Sequence, residues 1–113
     1  MATRANATIT IGQWEERPFS EVAGAGQLAR ASVTEVYTGD IAGDATTEYL
    51  LAYRDEQHAS YVALSRVVGR IGGREGGFAL EQRGVFAQGV ATSTWAVVPE
   101  SGTGDLRGLR GEG

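Results

Sequence analysis

At 113 residues the chain fits a single domain with one modest core. It has no cysteine, which excludes disulfides, thiolate metal sites and a cysteine nucleophile. The formal net charge is −4, and the ten basic residues, all arginine, form no stripe, so the footprint of a nucleic-acid binder is missing.

No stretch approaches the ~20 apolar residues of a membrane helix, and no membrane partner is expected. The opening "MATRANATITIGQW" carries no apolar core of signal-peptide type, which makes the cytoplasm the expected compartment. Glycine is abundant at 17 residues against 2 prolines, a balance that favours tightly turned sheet over disordered linker.

The first predicted strand is "ATRANATITIGQW", with Ala5, Ala7, Ile9 and Ile11 on one side and Asn6, Thr8 and Thr10 on the other. The next stretch, "RPFSEVAGAGQLARA", reads as loop with at most one helical turn, opened by Pro18 and closed by Gly24 and Gly26. In "LARASVTEVYT", Ala29, Ala31, Val33, Glu35 and Tyr37 share one face. "ATTEYLLAYR" sets Thr47, Tyr49, Leu51 and Tyr53 opposite Glu48, Leu50, Ala52 and Arg54. "RDEQHAS" is a predicted hairpin loop. "SYVALSRVVGRI" sets Tyr61, Ala63, Ser65 and Val67 against Val62, Leu64, Arg66 and Val68. "GFALEQRGVF" and "GVATSTWAVVP" follow, the latter stopped by Pro99, which has no N–H for a ladder.

Consecutive strands with short links predict an antiparallel meander. Several strands are apolar on both faces, which a barrel explains if its outside packs against a partner subunit; closure also removes unpaired edges. The predicted class is all-β: one antiparallel barrel domain over residues 1–113, of about seven to eight strands.

Three segments repeat glycine, any residue, Ile or Leu, any residue, glycine: "GDIAG" (39–43), "GRIGG" (69–73) and "GDLRG" (104–108). They read as barrel corners, where glycine permits sharp bends and Ile41, Ile71 and Leu106 turn inward to plug one end. The first two copies lead into another strand, while the third leads into "LRGEG". The pattern therefore predicts that a final strand is missing from the C-terminus of this sequence, or that another subunit covers the seam.

The segments "QWEERPF", "LARASVTEVYTGDIAGDATTEYLLAY", "SYVALSRVVGRIGGREGGFALEQRGVF" and "TWAVVPESGTGDLRGLRGEG" resemble, in order and spacing, a small bacterial family of unknown function, DUF3224. Where that family often carries a Glu, this chain has Ser65. The family in turn resembles the eight-stranded barrels of the allene oxide cyclase and dirigent type, through "SGTGDLRGLRG". The resemblance implies a barrel whose central cavity holds a small apolar or aromatic molecule. In the cyclases a buried carboxylate steers a reactive intermediate.

Four groups of residues bear on chemistry. His58, the only histidine, sits in a hydrophilic hairpin loop and reads as surface. Tyr49, Tyr53 and Tyr61, with Trp95 on a later strand, suit the wall of a mostly apolar pocket, as ordinary core packing also would. Glu35 and Glu48 lie inside apolar runs; Glu35 is the interior candidate for an acid, a base or a charge stabiliser, and Glu48 reads as a surface residue. Trp14, ahead of two acids, is placed to cap the barrel mouth, with Ser65 a polar point on the inner wall.

The leading expectation is a small-molecule binder. The alternatives are a cyclase or isomerase using Glu35 without cofactor or metal, and a homo-oligomeric interaction module without a ligand.

Overall fold

A computed structural model describes residues 4–113; Met1–Thr3, where the predicted first strand begins, lie outside the described residues. Six strands follow one another: β1 (Ala7–Val22), β2 (Gly26–Gly39), β3 (Ile41–Asp55), β4 (His58–Ile71), β5 (Arg74–Ala87) and β6 (Val90–Val97). They form one antiparallel sheet in chain order. The sheet is long and strongly rolled, 50 Å by 25 Å by 24 Å. Its two ends are not joined to each other, so the structure is an open six-stranded meander.

β1 is an edge strand and runs further than its sequence suggests. Pro18 and the glycines beyond it read as breakers, yet Pro18 lies in the ladder opposite Ala29. An edge strand tolerates proline because an N–H on its open side has no partner to lose. Bulges between Ile11 and Trp14 and between Pro18 and Ser20 absorb the irregularity. The turn shrinks to Ala23–Ala25, and there is no helical turn. "RDEQHAS" likewise contracts to a turn at Glu56–Gln57, with His58 already in β4.

Beyond β6 the chain turns through a short 3-10 helix, Gly104–Leu106. It then returns along β6: the Trp95 N–H donates to the Gly113 carbonyl and the Gly113 N–H to the Trp95 carbonyl, each at 2.9 Å. Residues 111–113 thus cover part of the β6 edge, while among the described residues β1 pairs with β2 alone.

The period-two alternation sorts side chains to an inner and an outer face. Alanines dominate the middle of the inner face, at positions 29, 31, 45, 59 and 63, and all are buried. Such small residues let the sheet roll tightly while large rings from neighbouring rows lie across them.

Two apolar clusters result. One gathers Tyr37, Val67, Phe78, Leu80 and Leu106, with Ile41 and Ile71 against it. The other gathers Ala29, Ala31, Val33 and Leu51 under Tyr49, Tyr53 and Tyr61. The three apolar residues of the glycine repeats therefore do meet at one end of the sheet. Leu106, only 1% exposed, reaches it from the 3-10 helix. Gly43 and Gly69 face each other at this corner, and a Cβ on Gly43 would overlap the Val68 carbonyl oxygen. The backbones approach too closely there for any larger residue.

Candidate functional site

Between the two apolar clusters the inner face carries a layer of polar residues. Register creates it: Glu35 on β2 pairs with Ala45, Thr47 on β3 with Ser65 on β4, and Ser65 with Leu80 on β5. Polar side chains on adjacent strands then meet on the diagonal. Glu35, Thr47 and Ser65 are 4%, 1% and 2% exposed. Residues so deeply buried must find hydrogen-bond partners within the protein.

They find them in one chain of bonds. The Gln82 amide donates to Ser65 Oγ at 3.2 Å. Ser65 Oγ and Thr47 Oγ1 are 2.7 Å apart, and Thr47 Oγ1 donates to Glu35 Oε1 at 2.5 Å. The Gln82 N–H can only donate, so the Ser65 proton is left for Thr47 and the Thr47 proton for Glu35. The donors all run in one direction, from β5 to a carboxylate on β2. Each bond polarises the next, and negative charge at Glu35 is spread over four strands.

The other carboxylate oxygen, Oε2, accepts from the Tyr49 hydroxyl at 3.3 Å. Burial, then the neighbouring Glu35 charge, holds the Tyr49 phenol well above its ordinary range. The same two causes push Tyr37, on the other side of Glu35, up to about 12. Among the described residues no arginine or histidine lies within 4.0 Å of Glu35.

Tyr49 also joins this polar layer to an aromatic wall. Its ring lies 5.2 Å from that of Trp14 and 5.6 Å from that of Tyr61, the latter edge-on. Trp14 is 43% exposed and forms the solvent side of the cluster. Its indole N–H donates to Glu16 Oε1 at 3.0 Å, and the Tyr53 hydroxyl donates to Glu16 Oε2 at 2.8 Å. Burial first, and that bond second, push Tyr53 up to about 12.

Six of the residues singled out from sequence thus share one region of the inner face: Glu35, Tyr49, Tyr53, Tyr61, Ser65 and Trp14. Trp95 faces the same side, opposite Gln82, yet packs with the other apolar cluster, so Trp14 and not Trp95 completes the tyrosine wall. Thr47, Gln82 and Glu16 complete the site. Their signal in the sequence was parity alone, each lying an even number of residues from an inward neighbour on its strand.

Glu48 faces outward. It accepts from Arg30 at 2.7 Å and from Ser32 at 2.9 Å, and the bonds from Ser32 and then Arg30 lower its pKa. His58 pairs with Asp55 at 2.9 Å across the β3–β4 turn, apart from this site, and that bond lowers the Asp55 pKa. On the outer face a groove of about 1000 Å³ runs past Leu50, Val62 and Leu64 between Arg30–Glu48 on one side and Glu81–Arg83 on the other.

Two comparisons with known proteins bear on this geometry. The family described as "Protein of unknown function (DUF3224)" matches residues 5–113. The chain is also similar to a crystal structure of a protein with unknown function from the DUF3224 family of Shewanella oneidensis MR-1. Identity there is 30%, with 95% of this chain and 84% of that chain covered and a TM-score of 0.71. No curated protein matches.

Proposed function

The chain belongs to the DUF3224 family, and from that premise we propose that its inner face binds a small apolar or aromatic molecule. One observation carries the reading: a stacked wall of Trp14, Tyr49 and Tyr61 adjoins a buried carboxylate that is held by hydroxyl groups alone. Apolar walls with one or two well-placed polar groups are the common composition of small-molecule sites. On this reading the rolled sheet is the greater part of a barrel of the allene oxide cyclase kind, closed by further strand pairing at the β1 edge. The ligand lies along the rings with its polar end toward Glu35.

Trp14 is the natural reporter. A panel of small aromatic and apolar compounds should include members that quench its fluorescence, with that response weakened in Tyr49→Ala. A panel without binders at millimolar concentration, or binding indifferent to Tyr49→Ala, would overturn the proposal.

The directed hydrogen-bond chain favours a second reading, a cofactor-independent cyclase or isomerase with Glu35 as its base or charge stabiliser. Glu35→Gln should then abolish turnover of a substrate that still binds. The outer-face groove favours a third, a homo-oligomer in which a second copy covers Leu50, Val62 and Leu64. Light scattering on the eluting protein tests it, and a monomer at high micromolar concentration would exclude it.

A further inference from the structure

Charge is divided unequally between the two faces of the sheet. Of the arginines on the strands, Arg17, Arg30, Arg54, Arg66, Arg70 and Arg83 all face outward, by pairing or by alternation from inward neighbours. Arg74 sits at the tip of the β4–β5 hairpin, at the Ile71 end and away from the tyrosine wall. The inner face carries two carboxylates against the rings of that wall, Glu16 opposite Ala31 and Glu35 opposite Ala45, with Glu21 opposite Gln27 at its Tyr53 end, and among the described residues no basic residue.

The two carboxylates flank the same rings. Glu35 Oε2 takes the Tyr49 hydroxyl on one side, and Glu16 takes the Trp14 indole and the Tyr53 hydroxyl on the other. A carboxylate has about four acceptor positions, and Glu35 uses two within the protein. Charge buried without a countercharge is unfavourable unless something neutralises it. The faces of Trp and Tyr rings carry negative potential, so this wall and these carboxylates both attract cations.

Resting on the reading that the inner face is a ligand site, we propose that its ligand is an organic ammonium, a protonated or methylated amine on an apolar or aromatic body. The ammonium group lies against the Trp14 and Tyr49 rings within reach of Glu35. The apolar body lies along Tyr61 and Leu51. An anionic ligand, such as a fatty acid with its carboxylate inward, meets like charges and, among the described residues, no cation.

The test is a matched pair of probes titrated by Trp fluorescence at pH 7: 2-phenylethylamine, and 2-phenylethanol as its neutral counterpart. The expected result is at least tenfold tighter binding of the amine in the wild-type protein, falling to less than about threefold in Glu35→Gln. The wild-type comparison stands even if that variant does not fold. Equal binding of both probes overturns the ammonium assignment and leaves the aromatic-site reading standing. No binding of either overturns both. A preference that survives Glu35→Gln and vanishes in Glu16→Gln overturns the assignment of the anchoring carboxylate to Glu35.

Discussion

Replacing Thr47 with valine removes one oxygen from the centre of the molecule and keeps the shape of the side chain. The Thr47 hydroxyl donates to Glu35 and accepts from Ser65, so two bonds go at once in a place that water does not reach. Losing a donor to a charged acceptor costs about 1.5–3 kcal/mol, and leaving the Ser65 proton without its acceptor adds about 1 kcal/mol. The sum is about 3 kcal/mol. For a 113-residue chain the entropy of unfolding is about 0.24 kcal/mol per degree, so each kcal/mol lowers Tm by about 4 °C. Thr47→Val should therefore melt about 12 °C below wild type in a calorimetric or circular dichroism scan. Thr47→Ser keeps the hydroxyl and loses one methyl, which costs about 1 kcal/mol. The order wild type, Thr47→Ser, Thr47→Val is the signature of the hydrogen-bond chain. A valine variant as stable as the serine variant would mean that the chain contributes nothing.

Leu106→Ala should destabilise by about 2–5 kcal/mol, because it empties a fully buried position that joins the 3-10 helix to the sheet; chemical denaturation measures it, and a loss below about 1 kcal/mol would contradict the packing. Tyr37 and Tyr53 should ionise near pH 12 in an ultraviolet titration, with Tyr37→Phe and Tyr53→Phe each removing part of that late phase. Both phenols ionise more easily when unfolded, near the ordinary value of 10, so their contribution to stability is full below pH 10 and is lost as pH rises toward 12. Breaking the solvent-exposed Arg30–Glu48 pair with Glu48→Gln should change stability by about 1 kcal/mol or less, which equilibrium unfolding in urea reads directly.

Alternation made the inner and outer faces of β2, β3 and β4 legible from residue types alone, because a strict period of two leaves no freedom once one buried residue is known. The inward direction of Glu35 beside Val33 and Tyr37 followed from that rule, as did the outward direction of Glu48. The second half of β1 was hidden because Pro18, Gly24 and Gly26 carry breaker signals, and an edge strand is the place where those signals are overridden. The partners of each polar residue were also hidden. Glu48 is held by Arg30, 18 residues away, and not by Arg54 on its own strand. The Gln82–Ser65–Thr47–Glu35 chain depends on register between strands, which no local pattern encodes. The exchange of Trp95 for Trp14 in the aromatic wall has the same origin: both lie on inward positions, and only the roll of the sheet decides which one reaches Tyr49.

The chain order of the sheet also sets how the molecule assembles. Every strand pairs with its neighbour in sequence across a turn of one to three residues. Closing such short loops takes little chain entropy, so each hairpin can zip as soon as its second strand exists. Contacts between sequence neighbours keep relative contact order low for an all-β protein, which places folding toward the fast end of that class. On the ribosome β1 and β2 can pair while β5 is still unsynthesised. Leu106 follows β6 in the chain, so the end of the sheet it plugs stays open until all six strands have been made. Folding intermediates should therefore be ribbons of increasing width, protected from hydrogen exchange from the N-terminal hairpin onward and sealed by the 3-10 helix.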